Sequence, residues 1–158
     1  MQKKRRIIVI NLPKIPVAYI DIKFFAHATE DLEKVREAVK HILPTNRVEE
    51  IEFRKNSLRG HHGNPIVFFQ TKIERKELVK AVIENISRSL SELDKEVLRR
   101  EIAMHVEKGS LYLRLDKQAA FQGVVKLGTT DPIHLRIRFR KGKIEEISKI
   151  CEELGILA

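Results

Sequence analysis

The chain has 158 residues and one cysteine, Cys151. A single thiol excludes an internal disulfide framework and is typical of proteins kept in a reducing compartment. Apolar residues surround this cysteine at helical spacing, namely Ile144, Ile147, Ile150 and Leu154. The pattern predicts a buried, inert thiol on an amphipathic helix rather than a catalytic nucleophile.

Long hydrophobic runs are missing as well. No apolar stretch approaches the length of about 18 residues that a membrane-spanning helix needs. The N-terminal residues 1–6 carry four positive charges and lead into a short apolar stretch that ends at Pro13. The sequence therefore predicts neither a signal peptide nor a membrane span, and we expect a cytoplasmic protein.

Acidic residues are scarce in one long segment of the chain. Residues 108–143 contain nine basic and two acidic residues, which supplies +7 of the net charge of +9. Residues 1–6 add +4, so the remainder of the chain is slightly acidic, at −2. Because the positive charge is confined to two places, it predicts a negatively charged partner rather than a general aid to solubility.

The motifs of common catalytic sites are absent. The sequence has no Walker-type or dinucleotide-binding glycine motif, and none of its serines lies in a nucleophile elbow. Its aspartates are scattered, whereas a two-metal nuclease needs clustered carboxylates. We therefore predict a protein that is not an enzyme and needs no cofactor.

The last predicted strand, residues 133–140, is the most informative feature that is present. Side chains alternate between the two faces of a strand. One face is apolar and consists of Ile133, Leu135, Ile137 and Phe139. The other is basic and consists of His134, Arg136, Arg138 and Arg140. Like charges in such a row repel unless an anion covers them, and arginine binds two phosphate oxygens at once, so the strand predicts contact with RNA.

Hydrophobic periodicity predicts the order strand, helix, hairpin, two helices, strand, hairpin and helix. The strands are expected at residues 17–27, 48–55, 66–73, 110–116, 124–127 and 133–140. The helices are expected at residues 29–43, 74–90, 94–107 and after Gly142. This order predicts an α+β fold, a mainly antiparallel sheet with helices packed on one face. We expect a single domain over residues 16–158, preceded by a basic N-terminal segment, residues 1–15.

Three further places could contribute to an RNA-binding surface. If the strand at residues 110–116 joins the same sheet, Tyr112 and Arg114 extend the arginine row. The glycine-rich hairpin tip and the strand before it add Arg54, Lys55, Arg59, His61 and His62. The connector and the strand after it add Lys117, Gln118 and Lys126, with phosphates and base edges as their targets.

Simpler interpretations exist for the hairpin tip, the connector and the last strand. The hairpin tip could be a plain loop, and its adjacent histidines lack the cysteine or acidic partner of a metal site. The small residues Ala119 and Ala120 of the connector could serve close packing alone. The arginines of the last strand could pair with nearby glutamates.

Several motifs of the chain resemble an archaeal RNA-binding family whose members are known as predicted exosome subunits. The motifs are LRRE at residues 98–101, GSLYL at 109–113, DKQAA at 116–120 and Gly123. The likeness covers residues 17–139 and implies a fold similar to the ribosomal protein that holds 5S ribosomal RNA. It also implies an RNA-binding sheet and no catalytic residues.

We therefore predict a non-catalytic RNA-binding protein that acts as an accessory factor in RNA processing or degradation, with exosome or ribosome components as further partners. The alternative is a protein–protein interaction module, or a ribosome-associated factor that does not touch RNA. The sequence does not determine the oligomeric state.

Overall fold

The structure is a computed structural model that describes residues 16–60, 63–140 and 142–158. Its strands are β1 (Val17–Ala26), β2 (Arg54–Arg59), β3 (Pro65–Ile73), β4 (Val106–Glu107), β5 (Ser110–Leu115) and β6 (Ile133–Phe139). Its helices are α1 (Leu32–Lys40), α2 (Lys76–Ser89), α3 (Glu92–Arg100), α4 (Ile102–His105), α5 (Lys117–Phe121) and α6 (Ile144–Glu153). The predicted N-terminal segment, His61, His62 and Lys141 lie outside the described residues.

The strands form one sheet in the order β2-β3-β1-β6-β5-β4, and all neighbouring pairs are antiparallel. The central pair joins the first and the last strand of the described chain, with Ile20 opposite Ile137 and Ile22 opposite Leu135. Residues that lie directly opposite each other in antiparallel strands point to the same face. The register therefore assigns every strand residue to one of two faces.

One face of the sheet carries the core. All four apolar residues of the β6 alternation are at most 1% exposed. Val35 of α1, Ile86 of α2 and Ile147 of α6 are fully buried in the same cluster. The α+β fold with helices on one face of an antiparallel sheet is thus confirmed, and the opposite face stays accessible to solvent.

Two predicted strands differ from the observed ones. The chain forms a 3-10 helix over Thr45–Glu50, and β2 begins only at Arg54. Val48 and Ile51 lie three residues apart and both pack against the core, so a period of three prevails over the period of two that a strand requires. Residues 124–127 do not form a strand and make only one isolated bridge, Leu115 to Leu127, while the Leu127 N–H donates to the Asp94 carboxylate at 3.0 Å.

The third helix is shorter than predicted. It ends at Arg100 because Glu101 leaves the helical backbone conformation, and α4 follows as one separate turn. The chain then enters β4 and reverses through Lys108 and Gly109, whose φ angles are +49° and +84°. Two consecutive positive φ angles are typical of the two-residue turn that best matches the twist of a hairpin. This turn places β4 and β5 beside β6.

Candidate nucleic-acid interface

The face opposite the core, here called the open face, collects polar and aromatic side chains from every major strand. Its members are Tyr19, Asp21, Lys23 and Phe25 of β1, Arg54, Asn56 and Leu58 of β2, Phe68, Gln70 and Lys72 of β3, Ser110, Tyr112 and Arg114 of β5, and His134, Arg136 and Arg138 of β6. The six lysines and arginines outnumber the two acidic residues at strand positions of this face, which are Asp21 and, opposite Ser110, Glu107 of β4. The open face is therefore strongly positive.

The charges form a row across the strands. Lys23 of β1 lies opposite His134 of β6, which lies opposite Arg114 of β5. Neighbouring strands are about 4.8 Å apart, so these three groups follow one another at that spacing. On the other side of Lys23, Gln70 separates the row from Arg54 of β2. We call Lys23, His134, Arg114 and Arg54 the cross-strand row.

The cations on either side of His134 affect the pKa of its imidazole. Partial burial, together with the positive charges of Arg114 and Lys23, lowers the pKa of the His134 imidazole, and the Asp131 carboxylate opposes this shift only in part. A positive charge is therefore disfavoured at this point of the row. A phosphate placed over the row would relieve the repulsion, because an opposite charge favours the protonated imidazole.

Arg136 is the most firmly held cation of the open face. Its Nε donates to the Ser110 hydroxyl at 2.9 Å, and its guanidinium carbon lies 5.8 Å from the ring centroids of both Tyr19 and Tyr112. One Nη lies 4.0 Å from a carboxylate oxygen of Asp21, at the limit of an ion pair. The side chain remains 37% exposed, so its free N–H groups can still meet a ligand.

The other arginines near Arg136 differ from it in their surroundings. The Arg138 guanidinium donates to the Lys108 carbonyl and lies against Gly109, where a Cβ atom would clash with it. Arg140 follows the end of β6, and its backbone N–H donates to the Pro16 carbonyl at 2.9 Å. Arg136 and Arg138 are thus fixed in place, and Arg114 is exposed beside them.

Aromatic side chains accompany the cations, and the sequence interpretation missed most of them. Phe25 and Phe68 are half-buried, and their ring centroids are 4.9 Å apart. The Lys72 ammonium lies over the Tyr19 ring, 4.2 Å from the ring centroid. The alternation of residues 17–27 was the available signal, since the positions between Ile20, Ile22 and Phe24 must point away from the core.

The rings and cations line a shallow groove of about 640 Å³ on the open face. Phe25, Phe68 and Tyr112 contribute the aromatic part, and Met104 of α4 also lines the groove. Met104 is 81% exposed and Tyr112 is 39% exposed. The basic part consists of Lys23, Arg114, His134 and Arg136, and it outnumbers the two acidic lining residues, Asp21 and Glu107. The groove therefore offers aromatic surface and positive charge together.

Lys117, a predicted RNA ligand, is placed elsewhere. Its side chain is 1% exposed, and its ammonium lies 2.6 Å from the Asp131 carboxylate and 3.0 Å from the Glu30 carboxylate. It also donates to the Phe25 carbonyl at 2.8 Å. His27 completes this cluster with a contact of 3.2 Å to Asp131. The ammonium is fully compensated inside the protein, so we leave Lys117 out of the proposed RNA-binding surface.

The same cluster bears on metal binding. His27, Glu30 and Asp131 have ligand atoms within 4.8 Å of one another, which is close enough for a shared metal ion. The Lys117 ammonium, however, already contacts both carboxylates. A second cation there would be repelled, so this cluster fits an internal ion pair better than a metal centre.

The remaining candidates lie away from the open face. Lys55 and Arg59 are opposite Phe69 and Pro65, which places them on the face that carries the core, although both are exposed at the sheet edge. Arg59 donates to the Gly63 carbonyl at 3.1 Å. Gln118 and Lys126 are exposed but lie beyond the strands. Of the hairpin candidates within the described residues, Arg54 alone joins the open face.

No helix in the described ranges has the length and apolar character that crossing a membrane requires. Cys151 is buried as predicted, and burial, helped by the neighbouring Glu152, raises the pKa of its thiol to about 12. Such a thiol is almost entirely protonated at neutral pH and is not a nucleophile.

An antiparallel sheet with one covered face and one face of cations and aromatic rings is typical of proteins that bind nucleic acids. The model of a family described as RNA binding matches residues 19–139 of the chain. The chain therefore belongs to this RNA-binding family.

Two relatives and one solved structure are similar to the chain. The chain is 35% identical over 130 residues to the RNA-binding protein PAB1135 of Pyrococcus abyssi, a match that covers 80% of this chain and 84% of the relative. It is 32% identical over 145 residues to the uncharacterized protein MJ0213 of Methanocaldococcus jannaschii, covering 86% and 97%. Among solved structures it is similar to Mth689, a DUF54 protein of Methanothermobacter thermautotrophicus, with a TM-score of 0.69, 28% identity and coverage of 85% and 97%.

Proposed function

We propose that the protein binds RNA through the open face, without cleaving it. The observation that carries this proposal is the cross-strand row together with Arg136 and Arg138. These cations share one solvent-accessible face, and they outnumber the two carboxylates at its strand positions, Asp21 and Glu107. Phosphate contacts from arginine and lysine supply most of the affinity that does not depend on sequence. An RNA backbone is the ligand that this charge pattern fits best.

The absence of cleavage is part of the proposal. Asp21 faces Arg136, and the carboxylates of Glu30 and Asp131 are engaged by Lys117. These groups are therefore poor candidates for a pair of catalytic metal ions. Incubation of a labelled RNA with the pure protein, with and without Mg²⁺ or Mn²⁺, should leave its length unchanged.

The cellular role that we propose is that of a cytoplasmic accessory factor in RNA processing or degradation. This role is supported by the likeness of the sequence motifs to the family of predicted exosome subunits. The similarity of the fold to the ribosomal protein that holds 5S ribosomal RNA stays a prediction. Retention of exosome or ribosome components by the tagged protein, before and after nuclease treatment, separates direct protein contacts from contacts through RNA. The alternative role, a protein-interaction module, predicts retention that nuclease leaves intact and no binding to pure RNA.

We also propose a domain organisation for the chain. Residues 16–158 would form the RNA-binding domain, and the basic residues 1–6 would only strengthen its affinity. Deletion of residues 1–6 should leave the melting temperature almost unchanged and make the dependence of RNA affinity on salt shallower. A large loss of thermal stability would assign the segment to the fold instead.

The position of the RNA can be mapped directly. Ultraviolet crosslinking of the bound RNA followed by mass spectrometry should identify peptides from β1, β3, β5 and β6, because aromatic residues of the open face would lie against bases. The crosslinked RNA itself would reveal the natural target. Crosslinks confined to the helices would contradict the proposed surface.

A further inference from the structure

The aromatic side chains of the open face have no evident role in the core. Phe25 and Phe68 pack against each other on the face opposite the buried Phe24 and Phe69. Tyr112 and Met104 leave much of their surface in water. Apolar surface gathered in one accessible groove is costly unless a partner covers it. The groove volume of about 640 Å³ lies within the range of about 300–1,000 Å³ that is usual for ligand sites.

The charges around the groove restrict what this partner can be. Lys23, Arg114 and Arg136 line the same groove as the rings, next to the imidazole of His134. Asp21 and Glu107 also line the groove, but Asp21 lies at the 4.0 Å limit of an ion pair with Arg136, and the cations outnumber the carboxylates. An apolar protein segment would bring no negative charge to balance this excess. A partner that combines flat aromatic groups with closely spaced negative charges satisfies both parts of the groove, and a polynucleotide has both.

The form of the polynucleotide follows from what each form exposes. In a duplex the base faces are stacked on one another, and a protein meets phosphates, 2′-hydroxyls and base edges. Phosphates alone would satisfy the cations but would leave the rings of Phe25, Phe68 and Tyr112 uncovered. Unpaired bases present free faces that stack on aromatic side chains, while their phosphates remain available to arginine.

We infer that the groove takes unpaired bases of single-stranded RNA, which stack on Tyr112 and on the Phe25–Phe68 pair while the phosphates lie over Arg114 and Arg136. This inference rests on the proposed RNA-binding function and names the form of RNA that the site selects. Stacking tolerates any base, so discrimination between strands and duplexes should exceed discrimination between sequences.

The test compares three labelled probes by fluorescence anisotropy at one salt concentration. The probes are an oligoadenylate of about ten nucleotides, an abasic sugar–phosphate oligomer of the same length, and an RNA duplex of the same length. The parent protein should bind the oligoadenylate about tenfold or more tightly than the abasic oligomer, because each stacked base is worth about 5- to 150-fold in affinity. It should also prefer the oligoadenylate to the duplex.

Substitution of one exposed ring isolates the contribution of stacking. Tyr112→Leu should weaken oligoadenylate binding by about fivefold or more and abasic binding much less, since the abasic oligomer depends on Tyr112 only through the contact of its ring with Arg136, whereas Tyr112→Phe should behave like the parent. Leu93→Ala removes a side chain that is 72% exposed on α3 and should change neither affinity. Because Tyr112 is 39% exposed, all variants are expected to fold, which circular dichroism can verify.

The outcomes separate this inference from the function on which it rests. Equal affinity for the oligoadenylate and the abasic oligomer, with no effect of Tyr112→Leu, would overturn stacking and leave phosphate binding intact. Tighter binding to the duplex than to the single strand would overturn the choice of ligand alone. Failure to bind any of the three probes would overturn the proposed function itself.

Discussion

Lys117 and Arg136 belong to the same basic segment of the sequence, yet the structure gives them opposite surroundings. Lys117 is 1% exposed and contacts two carboxylates and a carbonyl. Arg136 is 37% exposed and is held by a hydroxyl, two tyrosine rings and one carboxylate at 4.0 Å. Positive charge therefore indicates an external anionic partner only where the protein itself does not supply the counter-charge.

The two environments imply different costs for losing the cation. Removing one member of a buried ion pair leaves the other charge uncompensated in the protein interior, where it is poorly solvated. Removing a cation from a row of like charges relieves repulsion, although Arg136 also loses its contacts with Ser110 and Asp21. Substitution of Lys117 should therefore lower the stability of the fold, and substitution of the open-face cations should weaken RNA binding.

The largest expected effect follows from Lys117→Met. The change should lower the free energy of unfolding by about 3 kcal/mol, at the lower end of the range for broken buried pairs, because Asp131 and Glu30 keep some access to water. Chemical denaturation monitored by circular dichroism measures it. Lys126→Met, an exposed lysine of the same segment, is the matched control and should change stability by less than about 0.5 kcal/mol. Equal stability of the two variants would contradict the proposed importance of the ion pair.

The acid sensitivity of the protein sharpens the same contrast. Burial acts to raise the pKa of the Asp131 carboxyl, but its hydrogen bonds and ion pairs with Lys117 and His27 outweigh burial, and the pKa lies below the ordinary value of 3.8. A lowered folded-state pKa means that the stabilisation is present above about pH 4 and is lost as the pH falls through the folded-state value. In urea titrations across this range, Asp131→Asn should be less stable than the parent at neutral pH, and the difference should shrink in acid. A constant difference would show that the charge of Asp131 is not what matters.

His134 provides the smallest expected effect. Its pKa is lowered in the free protein by partial burial and by Arg114 and Lys23, and a phosphate placed nearby would raise it again. RNA binding should therefore take up a proton, so the affinity should rise a few-fold as the pH falls from about 7.5 to about 5.5. His134→Asn should show a flatter dependence in the same anisotropy assay. An identical dependence in the parent and the variant would assign the proton to another group.

Much of the fold could be predicted from the sequence because its signals are local. The alternation of residues 133–140 is reproduced in β6, and the apolar spacing around Cys151 is reproduced in α6. Residues 48–53 were misassigned because Val48, Ile51 and Phe53 suit a strand by composition, while the three-residue spacing of the first two fits the 3-10 turn.

The open face was predicted in part. Tyr112, Arg114 and the β6 cations required only alternation and the pairing of two strands, and the structure confirms that pairing. The burial of Lys117 could not be foreseen from the sequence, since it depends on two distant residues. Glu30 lies 87 residues before Lys117, and Asp131 lies in a later loop. Such long-range partners leave no periodic pattern in the chain.

The central claim is that RNA phosphates bind the open face, and one comparison of salt dependence tests it most directly. The first variant combines Lys23→Gln, Arg114→Gln and Arg136→Gln on the open face. The control combines Lys34→Gln, Lys55→Gln and Arg59→Gln, exposed cations away from that face, and has the same net charge. Affinity for a single-stranded RNA is measured against salt concentration for both and for the parent.

The open-face variant should flatten the slope of log K against log salt by about 2 units, since each lost phosphate contact removes about 0.7 for a single strand. The control variant should keep nearly the parental slope, because its cations make no phosphate contact. Equal flattening in both variants would mean that net charge alone drives binding. An unchanged slope in the open-face variant would show that RNA binds elsewhere on the molecule.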